Sequence, residues 1–424
     1  MNYVTYAIPF FVLMMAMEFL WGRYSGRQTY RLNDTINSLS MGLLSRVVDL
    51  LRLGFAGVVL GGLVSLLGVT PIATDSAWVW VIAFIAYDCC YYWKHRFGHE
   101  WRILWASHVA HHQSEEFNLS TALRQTGTDY IGFVFYLPLY VAGVPVEVVV
   151  TVGSLNLIYQ FWVHTEHVRR LGPLEWILVT PSNHRVHHAR NPEYIDRNYG
   201  GVFILWDRLF GTFKDEQEEI PCYYGITHAL HSWNPIWANL HMWVETAQLA
   251  WRTESWRDKL LIWFKPPSWI PADIEAESHD WRQPKYDPAI SNLTRYYCFA
   301  QYWLLTAFGL AAVLSNDALP YSLAVTLFAL VAFSFYCHGR MLEGREHAAR
   351  LEALRLTSLS GLALLAPLIW SIVTQSMALI MLGYCVFCAL VLWLGLRSGS
   401  LNRHTHSVAD ELNQGFVDYK GALQ

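Results

Sequence analysis

Charge is scarce in this sequence. Only 15% of its 424 residues are Asp, Glu, Lys or Arg, against about a quarter in a typical soluble domain. The net charge of −4, and the lack of any basic stripe interleaved with aromatics, exclude nucleic acid as a partner. Cysteine is sparse too. Of the seven, at 89, 90, 222, 298, 337, 385 and 388, only Cys385 and Cys388 stand at CxxC spacing. That pair lies in an apolar run without other ligand types, so it reads as two small residues of a membrane helix. No disulfide framework is expected, and the setting is a reducing one. A GxGxxG loop, an HPGG haem box and a cysteine set for an iron–sulfur cluster are all missing. Redox chemistry in this chain must therefore draw electrons from outside, from a diffusible reductant such as a pterin or from a partner protein.

What is abundant is apolar and aromatic. The chain is 54% hydrophobic with 20 Trp and 23 Tyr, and its mean hydropathy is +0.22. That is membrane composition, with aromatics suited to the membrane–water interface. A bilayer crossing takes about 20 apolar residues. Candidates are 6–21, read as a retained helix because no small-residue cleavage site follows, and 42–69, whose first half carries Arg46, Asp49 and Arg52 and suits the interface. Next come 77–93, and 130–163 as a hairpin bent at Gly143-Val144-Pro145. Residues 164–297 are polar, rich in His, Trp and Pro, and read as an aqueous cap. Four further spans are expected at 300–315, 320–337, 358–374 and 377–396, with a polar patch at 338–355 between the middle two. The expected fold is all-α and polytopic. A catalytic region fills 1–297, a helix block 298–397 and a polar tail 398–424. Lys94, Arg96, Arg102, Arg169, Arg170, Arg185 and Arg190 flank the membrane ends and place the cap on the cytoplasmic side. The membrane is the endoplasmic reticulum in a eukaryote or the inner membrane in a bacterium.

Histidine carries the chemistry. HRFGH occupies 95–99, HVAHH 108–112 and HRVHH 184–188. Residues three and four apart share a helix side, so each box aims its imidazoles one way. His95, His99, His108, His111, His112, His184, His187 and His188 make eight, and His164, the first polar residue after an apolar run, a ninth. So many imidazoles with few carboxylates suit a transition metal and exclude calcium and magnesium. Nine exceed one tetrahedral ion, so two metals are the economical number, with iron activating oxygen against a lipid C–H bond. Asp88, Tyr92, His95 and His99 share one helical face. Asp88 stands too far along that helix to reach His95 and is expected to hold a ring nitrogen from another box. Glu18 is either functional or snorkelling at a helix end. His167 is either a tenth ligand or a surface residue. His228, His231 and His241 suit packing or substrate contact, and His279, His338, His347, His404 and His406 lack partner spacing. A metal transporter or sensor is disfavoured because no polar file lines the remaining spans.

At these residues the sequence resembles the fatty acid hydroxylase/sterol desaturase superfamily, whose signature is three histidine boxes around a di-iron centre. HHQSEEFNLSTALRQ (111–125), LIYQFWVHTE (157–166), LGPLEWILVTPSNHRVHHARNPEYIDRNYGG (171–201) and LWDRLFGTF (205–213) are similar to its ether-lipid-cleaving members, as are PFFVLMMAMEFL (9–20) and RLNDTINSLSMGLLSR (31–46). The resemblance covers roughly 8–245 and extends loosely over the C-terminal spans. It implies two irons, oxygen and tetrahydrobiopterin, used to hydroxylate the ether-bearing carbon of a glyceryl ether that then falls to a fatty aldehyde and a glycerol derivative. A hydroxylase or desaturase of a sterol, fatty acyl chain or aminolipid is the alternative. The nine histidines become ligands by this resemblance, with Glu166 and Asn183 as neighbours that join Asp88 and Tyr92 of the shared helical face as catalytic candidates. Glu115, Asn118, Arg124 and Gln125 become substrate contacts. His167 is the departure from the pattern. The lipid tail is expected in an apolar tunnel among 77–93 and 130–163, because leaving each methylene in water costs about 0.8 kcal/mol.

Overall fold

A computed structural model describes residues 3–276 and 280–401. His279, His404, His406 and most of the expected polar tail lie outside the described residues. Among the described residues all the regular structure is helical apart from the isolated bridges Leu178–Phe203 and Ala189–Tyr224, and long loops fill much of 163–234 and 262–291. It forms two compact units, one of Met1–Gly42, Leu53–Leu230 and Asn239–Pro284, the other of Leu43–Arg52, His231–Ala238 and Lys285–Gln424.

The first unit begins with α1 (Val4–Tyr24) and most of α2 (Leu32–Val47), followed by α3 (Phe55–Leu67), α4 (Ala77–Glu100) and α5 (Arg102–His112). The apolar residues of α1 are largely turned outward, with Tyr6 75%, Leu13 57% and Leu20 63% exposed, as a lipid-facing helix requires. Its inner face seats Phe11 on Phe161 at 4.1 Å. Glu18 does not snorkel. It is buried and accepts from the Tyr30 hydroxyl, the Leu119 amide and the Thr165 hydroxyl, so α1 is bolted to two loops that border the histidines.

At 24 residues α4 is about 36 Å long, and it carries His95 and His99 in its last two turns. The 130–163 hairpin is shorter than its hydropathy suggests. Its first arm is a 3₁₀ turn, Gly132–Tyr136, running into α7 (Leu137–Val141), which follows the single-turn α6 (Leu119–Ala122). Its second arm is α8 (Val146–Trp162), 17 residues long. The bend is where expected, with Gly143 at φ 85° and Pro145 capping α8. Ala83, Val148 and Val152 join α4 to α8.

The rest of this unit is α9 (Pro181–His188), α10 (Leu205–Phe210), most of α11 (Pro235–Arg252) and α12 (Trp256–Leu261). The second unit holds α13 (Asn292–Leu314), α14 (Tyr321–Leu342), α15 (Ala348–Ile369) and α16 (Gln375–Arg397). These four, with α1, are the five described helices long and apolar enough to cross a membrane, or six if the broken pair Leu32–Leu51 and Ala56–Leu67 counts as one span. The protein is a multi-pass membrane protein. Helix α4 is long enough but falls short in apolarity, because Asp88 and a run of Tyr and Trp interrupt it.

The polar patch at 338–355 is not a separate connector. It is the end of α14 and the start of α15, with Glu343, Glu352 and Arg355 buried while Arg345, Glu346 and Arg350 stay exposed. Glu352 takes bonds from Arg355 and Tyr297, while Arg355 also reaches Gln301 and Tyr384. Cys385 and Cys388 are buried, free and part of this packing.

Candidate metal centre

The nine histidines do converge, but on two points rather than one. One ring nitrogen each from His95, His99, His108, His112 and His187 lies within 4.8 Å of the others, and the same holds for His111, His164, His184 and His188. The boxes are therefore shared. In α5, His108 and His112 serve one group while His111 serves the other. In α9, His184 and His188 stay together while His187 crosses over. The angular arithmetic of the helix explains the split: i and i+4 differ by about 40°, whereas i+3 falls about 60° to the opposite side. His112 and His188 lie back to back between the groups, stacked at 4.4 Å.

Backbone carbonyls set the ring tautomers. Nδ1 of His95 donates to Tyr199 O at 2.8 Å, His111 to Arg124 O at 3.0 Å, His164 to Gln160 O at 2.7 Å and His187 to Arg197 O at 2.9 Å. A carbonyl accepts only, so each of these rings carries its proton on Nδ1 and a lone pair on Nε2. The Nε2 atoms of His95, His99 and His187 are buried without a protein partner. Those of His164 and His111 face each other at 3.3 Å, lone pair to lone pair, and His184 Nε2 stands 2.9 Å from His164 Nε2. The His111–His164 contact is repulsive unless a cation lies between the two lone pairs, whereas His184, whose Nδ1 has no hydrogen-bond partner, can carry its proton on either nitrogen. Two nitrogens bound at about 2.1 Å and at right angles are about 3 Å apart, which is this spacing. The residues fit two transition-metal ions.

Burial, reinforced by neighbouring imidazoles, holds His108, His112, His164, His184, His187 and His188 well below the usual histidine range, and His111 at about 4. Neutral imidazole is the ligating form. Where the unfolded chain titrates near pH 6.5, the folded, metal-free one stays neutral, so below that pH unfolding takes up protons. Stability of the metal-free protein is thus fully present above about pH 6.5 and falls as pH drops towards 4. Thermal unfolding of the metal-free form in detergent should give a midpoint that declines from pH 7.5 to 5. A flat profile would mean that these rings are not buried neutral.

The carbonyls that orient the rings are themselves anchored. Contrary to the expectation from the sequence, Asp88 holds no histidine ring nitrogen. It is fully buried and accepts from Val202 N (2.8 Å), Phe203 N (3.0 Å), Asn156 Nδ2 (2.7 Å) and Trp206 Nε1 (2.9 Å). Its carboxylate pins the 199–206 loop to α4, and that loop delivers the Tyr199 carbonyl to His95. Asp207 takes the Tyr199 and Gly200 amides from the other side at 2.7 and 2.8 Å. Burial raises this carboxyl to about 6. Asn198, at φ 57°, bridges Asn183 O and Lys214 O and holds the same loop.

Several other expected site residues make contacts within the protein. Asn183 forms a capping box with Thr180 at the start of α9, and Asn118 caps α6 while donating to Thr29 O at 2.6 Å. All three Arg124 nitrogens are used, on Ala110 O, Asn37 and Gln113, so its guanidinium grips the end of α5 rather than a ligand. Gln125 donates to Ala122 O and Glu115 pairs with Arg31 at 2.9 Å. The Tyr92 hydroxyl meets Thr212 at 3.0 Å and its ring stacks on Phe210. Glu166 pairs with Arg27 at 3.0 Å. His167 contacts Thr29 and belongs to neither group.

Sequence reasoning missed the aromatic jacket. Trp105 lies 5.0 Å from His99, Tyr199 5.3 Å from His99, and Phe117 5.2 Å from His188. An aromatic near a histidine in space has no signature in chain spacing.

Fold and site define the class: a multi-pass helical membrane protein with paired histidine groups suited to two metal ions. The chain matches the fatty acid hydroxylase family over residues 80–212, which include all nine histidines. It is 38% identical to alkylglycerol monooxygenase of Danio rerio over 84% of this chain and 80% of that protein. To the Homo sapiens alkylglycerol monooxygenase it is 36% identical, over 84% of this chain and 81% of that one. An ornithine lipid hydroxylase of Rhizobium tropici is 31% identical over 32% of this chain and 42% of its own length. The chain belongs to the alkylglycerol monooxygenase family. No solved structure matches it.

Proposed function

We propose that this protein is a di-iron monooxygenase that hydroxylates the ether-bearing carbon of alkylglycerol lipids, with a tetrahydropterin as reductant and its histidine groups on the cytoplasmic side. The observation that carries the reading is the pairing of lone-pair-bearing Nε2 atoms in two adjoining groups, in a chain of this family. Iron, once bound by the five and the four histidines, supplies activation of dioxygen for attack on an unactivated C–H bond. The carbonyls of Tyr199, Arg197, Arg124 and Gln160 keep the rings in their ligating tautomer, and Asp88, Asp207 and Asn198 keep those loops in place. Trp105, Tyr199 and Phe117 exclude water from the histidines and leave an apolar wall for the lipid chain. Hydroxylation of the ether-bearing carbon yields a hemiacetal, which collapses by breaking the bond to glycerol oxygen. Its products are a fatty aldehyde and a glycerol derivative. The tail is proposed to lie along α4 and α8, where it stays out of water.

Purified, iron-loaded protein given alkylglycerol, oxygen and tetrahydropterin should release fatty aldehyde. Sterol, free fatty acid and ornithine lipid should give at most a small fraction of that rate. Turnover of one of those lipids with alkylglycerol left intact would replace this reading with the other-lipid hydroxylase.

A further inference from the structure

A cavity of about 540 Å³ opens in the first unit on the far side of Phe117 from the histidines. Its wall includes Arg27, Glu166, Arg169, Arg185, Glu216 and Tyr224. The Tyr224 ring stacks on Phe117 at 4.9 Å and 18°, and Phe117 in turn lies 5.2 Å from His188 and 5.6 Å from His164. Arg185 directly follows His184 in α9, and its guanidinium forms a two-point pair with Glu216 at 2.8 and 2.7 Å. The cavity is therefore one aromatic layer from the four-histidine group.

We propose that this cavity binds the external reductant, a small planar polar heterocycle of the tetrahydropterin class; the inference rests on the monooxygenase reading above. Three observations carry it. Monooxygenation requires two electrons and two protons beyond the substrate, and the sequence carries no haem, dinucleotide or iron–sulfur motif to supply them. In the net balance, the C–H bond becomes C–OH with one oxygen atom, and the other oxygen leaves as water. The tetrahydropterin gives up two hydrogens and becomes a dihydropterin. The size is that of a small-ligand site. Its lining mixes guanidinium donors with carboxylate acceptors, and the Tyr224 ring offers a face for stacking. An amide-and-amine heterocycle edge uses both kinds of partner. The three glutamates at the wall, Glu166, Glu216 and Glu218, accept from ring N–H and amino groups, which a phosphate-bearing lipid headgroup does not offer. Electrons from a ligand stacked there cross only Tyr224 and Phe117 to reach His164 and His188.

The test uses full-length, iron-loaded enzyme and the variants Glu166→Gln, which removes the charge paired with Arg27 at the cavity wall, and Glu218→Gln, at an exposed position. Expected results are a rise of about tenfold in KM for tetrahydropterin, with KM for alkylglycerol and iron content unchanged. Calorimetry with a non-reducing dihydropterin should show a parallel weakening. Dihydropterin should also slow alkylation of Cys222, which lines the same cavity, in the wild-type protein. Unchanged pterin binding in both variants with no protection of Cys222 would overturn the site while leaving the monooxygenase reading intact. A shift in KM for alkylglycerol alone would give the cavity to the lipid headgroup instead. Failure of wild-type enzyme to bind or use tetrahydropterin at all would overturn the reductant reading and this site with it.

Discussion

His188→Ala should abolish turnover and lower the iron content of purified protein from two per chain to one, while the chain still inserts in the membrane. His188 is one of only four nitrogens in its group, and its ring also separates that group from His112 of the other. Three imidazoles leave an ion exposed to exchange, and loss of even an outer partner of a ligand typically costs 10–100-fold in metal affinity. His95→Ala is expected to behave differently. Four imidazoles remain around that ion, so iron should be retained more weakly while activity drops sharply. His167→Ala should leave both iron and turnover nearly unchanged, because His167 sits with Thr29 outside either group. Full activity and two irons in the His188→Ala form would contradict the assignment.

Asp88→Ala should be nearly as damaging although Asp88 touches no histidine. It strands four donors, those of Val202, Phe203, Asn156 and Trp206, inside the protein. Each buried group left unsatisfied costs about 1–3 kcal/mol. The 199–206 loop should then loosen, the Tyr199 carbonyl should leave His95, and iron should wash out against a chelator about 10–100 times more readily. Asp88→Asn keeps the shape but turns one acceptor into a donor, so an intermediate effect is expected. Gly201→Ala offers an independent route to the same defect, because a Cβ there would stand 2.8 Å from Asp88 Oδ1 and the Tyr91 ring. Iron retention during dialysis reads all three. Wild-type retention in Asp88→Ala would remove Asp88 from the account as a positioning residue.

The chemistry of the site was legible because it is written in short spacings. Histidines at i, i+3 and i+4 beside apolar runs mark out the imidazole set, and with the family resemblance lead to an expectation of metal and a lipid substrate. The division of labour inside each box was not, since a shared helix side does not say which ring crosses to a neighbouring ion. Nor were the groups that orient the rings, because Tyr199, Arg197, Arg124 and Gln160 act through backbone carbonyls that any residue possesses. Asp88 was singled out as a buried acid in an apolar helix, yet its partners lie 68 to 118 residues further along, beyond any local pattern. Arg124 looked like a hand for a headgroup until its three nitrogens proved to be occupied. In the C-terminal unit the polar patch masked a helix start, because Glu352 and Arg355 cancel each other inside the bundle. Recruitment of Leu43–Arg52 and His231–Ala238 into that unit likewise leaves no trace in hydropathy.

The central claim is that this site inserts one atom of dioxygen into the ether-bearing carbon of an alkylglycerol. Turnover under ¹⁸O₂, with the aldehyde reduced to its alcohol as it forms, tests it most directly. Collapse of the hemiacetal breaks the bond to glycerol oxygen, so the account predicts one heavy oxygen in the trapped fatty alcohol and none in the glycerol. Label absent from the alcohol, with oxygen drawn from water instead, would contradict it.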